Sequence, residues 1–402
     1  MEKNWNFDEV IDRTGTDAVK WEPDVLLNVF GKDGRNLLPM WVADMDFKCP
    51  EPVTKALIER AEHPVYGYTR VGSAYFDALI RWYEKRHNWS ISESWILTTP
   101  GVVPAVNYVI QRFSKPGDKI LIQSPVYYPF ARSIKNNGRQ VLDNPLKIEN
   151  NHYKMDFKDL EKKLKDPRVK LAILCSPHNP VGRVWTRHEL ETFGNLCIKN
   201  NVLVFSDEIH CDLVMPGFRH ICFASVADEF AENSITALAA SKTFNLAGLQ
   251  HSALVIPEAK IREQMRIFLE NAGFSGAEGG TLFGAVAATA AYNEAEPWLD
   301  ALINYLHENF RFLKENLEKN LPEIRVFELQ GTYLAWVDFT ALENNEERRI
   351  SIIEQKAKIA LDHGLWFGTD GAGFERFNLA CPRSMLEKAV KAIIAAFKKD
   401  IA

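Results

Sequence analysis

Ala239-Ala240-Ser241-Lys242-Thr243-Phe244-Asn245-Leu246-Ala247-Gly248 is the stretch that decides how this chain is read. It starts where an apolar run, Ile235 to Ala239, gives out, and it ends in a glycine-bearing turn. A strand that stops at a lysine delivers an amine to the mouth of a sheet, where it is suited to Schiff-base chemistry with an aldehyde cofactor. A lysine at a strand end is more often a solvated surface charge, so its weight comes from its company. Ser206-Asp207-Glu208-Ile209-His210 closes a second apolar run and Ser176-Pro177-His178-Asn179-Pro180 a third, while Pro125-Val126-Tyr127-Tyr128 follows a fourth. An acid, an amide, an aromatic and a lysine, each just past a strand, are what pyridoxal phosphate asks of a protein.

Outward from these points, short apolar runs alternate with amphipathic helical stretches. Strands are expected at Trp95 to Thr98, Lys119 to Gln123, Val169 to Cys175, Val202 to Ser206, Ile235 to Ala239 and Ser252 to Ile256, with helices such as Arg187 to Asn200 between them. Continuous apolarity marks strands covered on both faces, and the alternation with helices predicts an α/β fold with a mostly parallel central sheet. Ligands bind off the carboxyl ends of such strands, where all four motifs fall. From about residue 295 the texture changes. Trp298, Leu299, Leu302, Ile303, Leu306, Phe310, Leu313 and Leu317 follow the 3–4 spacing of a long helix. Strand-like segments at Ile324 to Phe327, Tyr333 to Val337 and Arg376 to Leu379, with helices over Ile350 to His363 and Ser384 to Lys398, predict a smaller α+β unit. The expected division is an N-terminal arm over 1–45, a large domain over 46–290 and a small C-terminal domain over 291–402.

The chain has 402 residues, too many for one ordinary core. Its 46% hydrophobic and 25% charged content is that of a globular protein. A formal net charge of -5 argues against nucleic-acid binding. No apolar stretch approaches the ~20 residues of a membrane span, and Met1 to Asn6 has no apolar core, so no membrane partner or signal peptide is expected and a cytoplasmic location is. The six cysteines show no C-x-x-C pair and are expected to be reduced and buried. No metal-site spacing is evident, since neighbours such as His210 and Cys211 point to opposite faces of a strand.

The constellation can be read residue by residue. Asp207, at the end of a buried strand, is suited to keep the cofactor's ring nitrogen protonated, which makes the ring an electron sink. Ile209 falls on the same side two residues on and could pack against the ring, with His210 close by. Asn179 could donate to the phenolic oxygen, although Asn-Pro is also a common turn. Tyr127 or Tyr128 could stack on the ring. Thr99-Pro100-Gly101-Val102-Val103 precedes an apolar helix whose first free N–H groups could receive a phosphate.

The order aromatic loop, Asn-Pro, Asp, Ser-Lys resembles fold-type I pyridoxal-phosphate enzymes of the aminotransferase class I/II kind. In detail the chain is similar to the MalY/PatB-type cystathionine β-lyases, or C–S β-lyases. The matching stretches are Asp12-Arg13-Thr14-Gly15-Thr16, Ala43-Asp44-Met45-Asp46-Phe47, Tyr66-Gly67-Tyr68-Thr69 and Cys175 through Trp185. They continue through Ser206 to His210, Ser241 to Asn245 and Arg376 through Ser384, and so span nearly the whole sequence.

The resemblance implies roles at these positions. Lys242 would carry the cofactor covalently and move protons, next to Ser241. Asp207 would pair with the ring nitrogen, Tyr127 would stack, and Asn179 would bond the phenolic oxygen. Arg376 would clamp the substrate's α-carboxylate, and Tyr68 would reach a partner subunit's phosphate and substrate site across a homodimer. The implied activity is β-elimination from cystathionine- or cystine-type S-substituted cysteines, giving thiol, pyruvate and ammonia. An aminotransferase is the nearest alternative, and a repressor-binding role of the MalY type a more distant one. Two positions depart from the wider superfamily. Ala239 and Gln250 stand where many aminotransferases carry a hydroxyl residue and an arginine on the phosphate.

Overall fold

Seven strands form the central sheet of the computed structural model, which describes residues 5–32, 34–274 and 281–401. In chain order they are β1 (Ile96–Thr99), β2 (Lys119–Ile122), β3 (Gln140–Asp143), β4 (Val169–Cys175), β5 (Leu203–Asp207), β6 (Ser234–Leu238) and β7 (Ser252–Val255). Their spatial order is β1-β7-β6-β5-β4-β2-β3, and all pairings are parallel except the two made by β7. Alternate residues feed two separate cores. Ile173, Phe205, Ile235 and Leu254 pack with Val106, Val109 and Ile110 of the helix Val102–Phe113. Leu121, Ala172, Leu174 and Val204 pack on the other face with Leu190 and Phe193 of Arg187–Lys199. The strands read as unbroken apolar runs because both faces are covered in this way.

A second sheet lies in the C-terminal part. It comprises β8 (Arg325–Val326), β9 (Leu334–Asp338), β10 (Asp362–His363) and β11 (Phe374–Asn378), in the order β8-β9-β11-β10 and antiparallel throughout. The long helix Glu296–Asn320 and the helix Arg383–Ile401 share one apolar cluster with it through Leu306, Leu313, Leu386 and Val390. The N-terminal segment joins this part, because Leu38–Pro39 pairs in parallel with Ile359–Ala360.

One element differs in kind from the sequence expectation. The helix expected over Ile350 to His363 stops at Lys356, after an α-turn (Glu346–Ser351) and a π-turn (Ile352–Lys356). Lys358 takes a left-handed φ of 60°, the conformation that commonly ends helices, and two short strands follow, Ile359–Ala360 and Asp362–His363. A lone arginine on a short strand is commonly a surface charge at a sheet edge. Instead β11 lies between β9 and β10, and Arg376 is buried.

The cysteines are free thiols, all buried except the half-buried Cys49. Among the described residues no helix is long and apolar enough to cross a membrane. Met1 to Asn4, part of the stretch read for a signal peptide, lie outside the described residues.

Candidate active site

A cavity opens off the carboxyl ends of the parallel strands. Lys242, Asp207, Asn179 and Tyr127 line it, as do Gly101, Val102, Val103, Ile209, His210 and Ser241. All ten were expected from sequence. Ala43, Pro104, Cys175, Ala247, Gln250 and His251 complete the wall. Tyr127 is the aromatic that faces the cavity, while Tyr128 packs on Trp366 and Phe367 at ring distances of 6.3 and 5.6 Å.

Lys242 sits on the short helix Ala240–Thr243 that follows β6. Its Nζ donates to the carbonyl of Ala43 at 2.6 Å. Burial depresses the ammonium to about 8, with Asp44 and Asp207 opposing the shift and Arg376 adding to it. That amine is therefore close to the neutral, nucleophilic form near physiological pH. The turn that carries it is tied to main chain far away in sequence. Asn245 accepts from the Met45 N–H at 3.0 Å and donates to the carbonyls of Met45 and Phe47, both at 3.0 Å, which ties the segment around Ala43 to the lysine turn.

Asp207 ends β5 directly beside Cys175, the last residue of β4. Its Oδ1 accepts from the Ile209 N–H at 3.1 Å, and no ion pair reaches it among the described residues. Burial pushes its carboxyl up to about 7. A buried carboxylate without a cation is costly, and a protonated ring nitrogen would supply such a partner. Asn179 receives a 2.9 Å hydrogen bond on Oδ1 from Nη1 of Arg376, and its carbonyl accepts from the Tyr127 N–H at 3.0 Å. Its side-chain N–H groups are thus the part left to meet a phenolic oxygen. Arg376 does not line the cavity; it stands behind Asn179, with a further 3.0 Å bond to the Trp41 carbonyl and an ion pair to Asp362.

At the other end of the cavity, Gly101 adopts a φ of 120° as the chain turns into Val102–Phe113. The N–H groups of Val102 and Val103 have no acceptor within the helix, and Pro104 has none to offer. Such free N–H groups at a helix start are suited to receive a phosphate. Amine, carboxylate, amide, aromatic and phosphate seat thus fit pyridoxal phosphate.

Two buried polar groups under the site were missed from sequence. Asp212 meets Thr243 at 2.9 Å, Trp82 at 2.9 Å and His87 at 2.7 Å. Burial pushes the Asp212 carboxyl up, but the bonds from His87, Thr243 and Trp82 outweigh it and leave the group below its ordinary value. Glu208 meets Ser206, the Phe223 N–H and His220 at 2.9, 2.8 and 2.8 Å. Three metal-ligand-type atoms come together in each of His87-Cys211-Asp212 and Glu208-His220-Cys222, groupings that sequence spacing does not reveal. The carboxylate oxygens in both are engaged by protein donors, so we read the groups as supports. The Asp212–Thr243 bond props the residue next to Lys242.

Tyr68 alone stands apart from the rest. It is fully exposed at 111% and lies outside its own chain's cavity, in a loop where Val65 and Tyr66 are also exposed.

Fold and site together define a fold-type I pyridoxal-phosphate enzyme. The aminotransferase class I and II family matches residues 36–393. Cystathionine β-lyase PatB of Bacillus subtilis (strain 168) is 42% identical over 391 residues, 97% of this chain and 99% of that protein. Protein MalY of Escherichia coli (strain K12) is 33% identical over 395 residues, 98% and 99% of the two chains. Among solved structures, cystalysin from Treponema denticola, which contains pyridoxal 5'-phosphate, aligns with a TM-score of 0.94 at 38% identity, covering 99% of this chain and all of that one. The chain belongs to the aminotransferase class I and II family and, within it, to the MalY/PatB-type C–S β-lyases.

Proposed function

We propose that this chain is a pyridoxal-phosphate C–S β-lyase, cleaving cystathionine, cystine and related S-substituted cysteines to thiol, pyruvate and ammonia. The observation that carries the reading is one cavity joining the Lys242 amine, the Asp207 carboxylate, which no ion pair reaches among the described residues, and Asn179, in a chain so similar over its length to a cystathionine β-lyase. The cofactor, when bound, supplies the electron sink that makes an amino acid's α-proton removable. Lys242 Nζ would hold the cofactor and, when released from it, would take the proton from Cα; burial lowers the ammonium to about 8, which leaves a share of the amine uncharged and basic near neutral pH. Asp207 holds a proton on the ring nitrogen. Tyr127 would cover the cofactor's ring, and the first turn of Val102–Phe113 would hold its phosphate. Arg376, steadied by Asn179, grips the α-carboxylate. The bond from Cβ to sulfur breaks as sulfur departs as thiolate, and water converts the three-carbon remainder to pyruvate and ammonia.

Incubation with L-cystathionine is expected to release homocysteine, pyruvate and ammonia together, with no added keto acid. Steady amino transfer to an added keto acid, with little thiol appearing, would show the chain to be an aminotransferase instead.

We infer further that the enzyme is cytoplasmic and that its active unit is a homodimer in which Tyr68 enters the partner's site. The full exposure of Tyr68 beside the exposed Val65 and Tyr66 supports this, since apolar side chains grouped on a surface suit an interface. Mixing a Lys242→Ala protomer with a Tyr68→Phe protomer tests it. Half the sites of the mixed dimer then carry both defects and half carry neither, so activity should rise above that of either parent. No recovery despite demonstrated subunit exchange places Tyr68 outside the partner's site.

A further inference from the structure

Arg376 is already fully engaged on one side. Both hydrogens of Nη2 are committed, one to the Trp41 carbonyl at 3.0 Å and one to Oδ2 of Asp362, while Nη1 gives one to Asn179 at 2.9 Å. Nε has no partner. A guanidinium grips a carboxylate bidentately through two parallel N–H bonds, either Nη1 with Nη2 or Nε with Nη2. Either grip requires an Nη2 hydrogen. One of the two present partners therefore has to yield. The Trp41 carbonyl is main chain, next to a segment tied down by Asn378, whose Nδ2 donates to the carbonyls of Val42 and Asp44. Asp362 is a side chain. It lies directly across β10 and β11 from Arg376, on the same face, and its Oδ1 is buried with no hydrogen-bond partner among the described residues.

We propose that Asp362 is the enzyme's own occupant of the Arg376 clamp, holding the guanidinium while the site is empty and giving way, by taking a proton on Oδ1, when a substrate carboxylate binds. This rests on reading Arg376 as the substrate clamp. Asp362 is thus a positioning residue, and it sets how strongly the clamp attracts anions.

The surroundings bear on when the proton can be taken up. The charged and titratable groups around Asp362 are Arg376 and Glu375 on β11, His363 beside it, and Tyr127 and Tyr128 from the loop before the helix Pro129–Asn136. Burial raises Asp362 to about 6, against the pull of Arg376 and His363. His363 is itself pinned between Glu375 and Glu354 at 2.8 Å each, so its charge is compensated elsewhere. A second carboxylate arriving on Arg376 repels the first and raises its proton affinity further. Binding and proton uptake are then linked.

The test uses holoenzyme and 3-(methylthio)propionate, a thioether carboxylate with no amine to exchange with Lys242. Calorimetric titration between pH 5.5 and 8.5, in buffers of different ionisation enthalpy, gives affinity and proton uptake together. The wild-type protein should bind more weakly as pH rises and take up protons on binding. Asp362→Asn, which keeps shape and acceptor but not the charge, should bind about tenfold more tightly at pH 8 and take up correspondingly fewer protons. Asp362→Ser should agree in direction. Unchanged or weaker binding in both variants, with unchanged proton uptake, would make Asp362 a fixed structural partner and overturn the proposal. Arg376→Gln separates the underlying reading: it should abolish probe binding, and if it binds as the wild type does, the clamp itself is misassigned.

Discussion

Lys242→Ala is expected to leave a folded protein that still takes up pyridoxal phosphate, less tightly, and that loses turnover by several orders of magnitude. Two functions vanish with one side chain. Loss of a positioned proton-transfer base alone costs roughly 10²–10⁴-fold, and loss of the covalent attachment adds to it. The fold should survive, because Lys242 borders an open cavity and its Nζ makes a single bond, to Ala43. Borohydride reduction of the wild-type holoenzyme followed by peptide mapping should place the adduct on the peptide containing Lys242; an adduct elsewhere rejects the assignment. The depressed ammonium adds a pH signature. Since burial holds Lys242 at about 8, the amine is uncharged above that pH. Cofactor capture by the cofactor-free protein should therefore speed up through pH 8 and level off. A rate still climbing at pH 10 would mean an ordinary, solvated lysine does the capturing.

That Lys242, Asp207 and Asn179 could be found from sequence follows from the physics of a parallel sheet. Strands buried on both faces write themselves as apolar runs, and β4, β5 and β6 place their ends together whatever the details of the loops. What was not legible depends on contacts between distant residues. Ala43 reaches Lys242 across 199 positions, and Asn245 reaches Met45 across 200. Neither pairing has a local signature. His87 and Asp212, 125 apart, are hidden for the same reason. Asp362 escaped because β10 is two residues long, too short to show alternation, and follows a stretch whose spacing reads as helix. Arg376 was located by the family resemblance; only its paired neighbours in β10 and the Asn179 bond explain why it is buried.

Asp207→Asn is expected to impair turnover severely while making the cofactor-free protein more stable. The catalytic half follows from charge. An amide of equal volume cannot hold a proton on the ring nitrogen, and a charge-assisted contact worth about 1.5–3 kcal/mol in ordinary settings is lost where the reaction depends on it, a slowing of at least tenfold. The stability half follows from the same burial. An unfolded aspartate titrates near 4, whereas the folded Asp207 sits at about 7 because burial penalises the anion and no cation pairs with it. A carboxyl raised in the folded state contributes fully below the unfolded value. Its contribution then falls as pH rises from about 4 through 7, by something on the order of 3–4 kcal/mol. Asparagine does not titrate, so the cofactor-free variant should melt above the wild type at pH 8 and close to it at pH 4.5. Adding pyridoxal phosphate should reverse the order at pH 8, because the wild-type carboxylate then gains its counter-charge and the amide gains none. Thermal midpoints of both proteins, with and without cofactor at both pH values, decide the matter. If the cofactor-free variant is no more stable than the wild type at pH 8, Asp207 is not an uncompensated buried charge, and its role as partner of the ring nitrogen loses its physical basis.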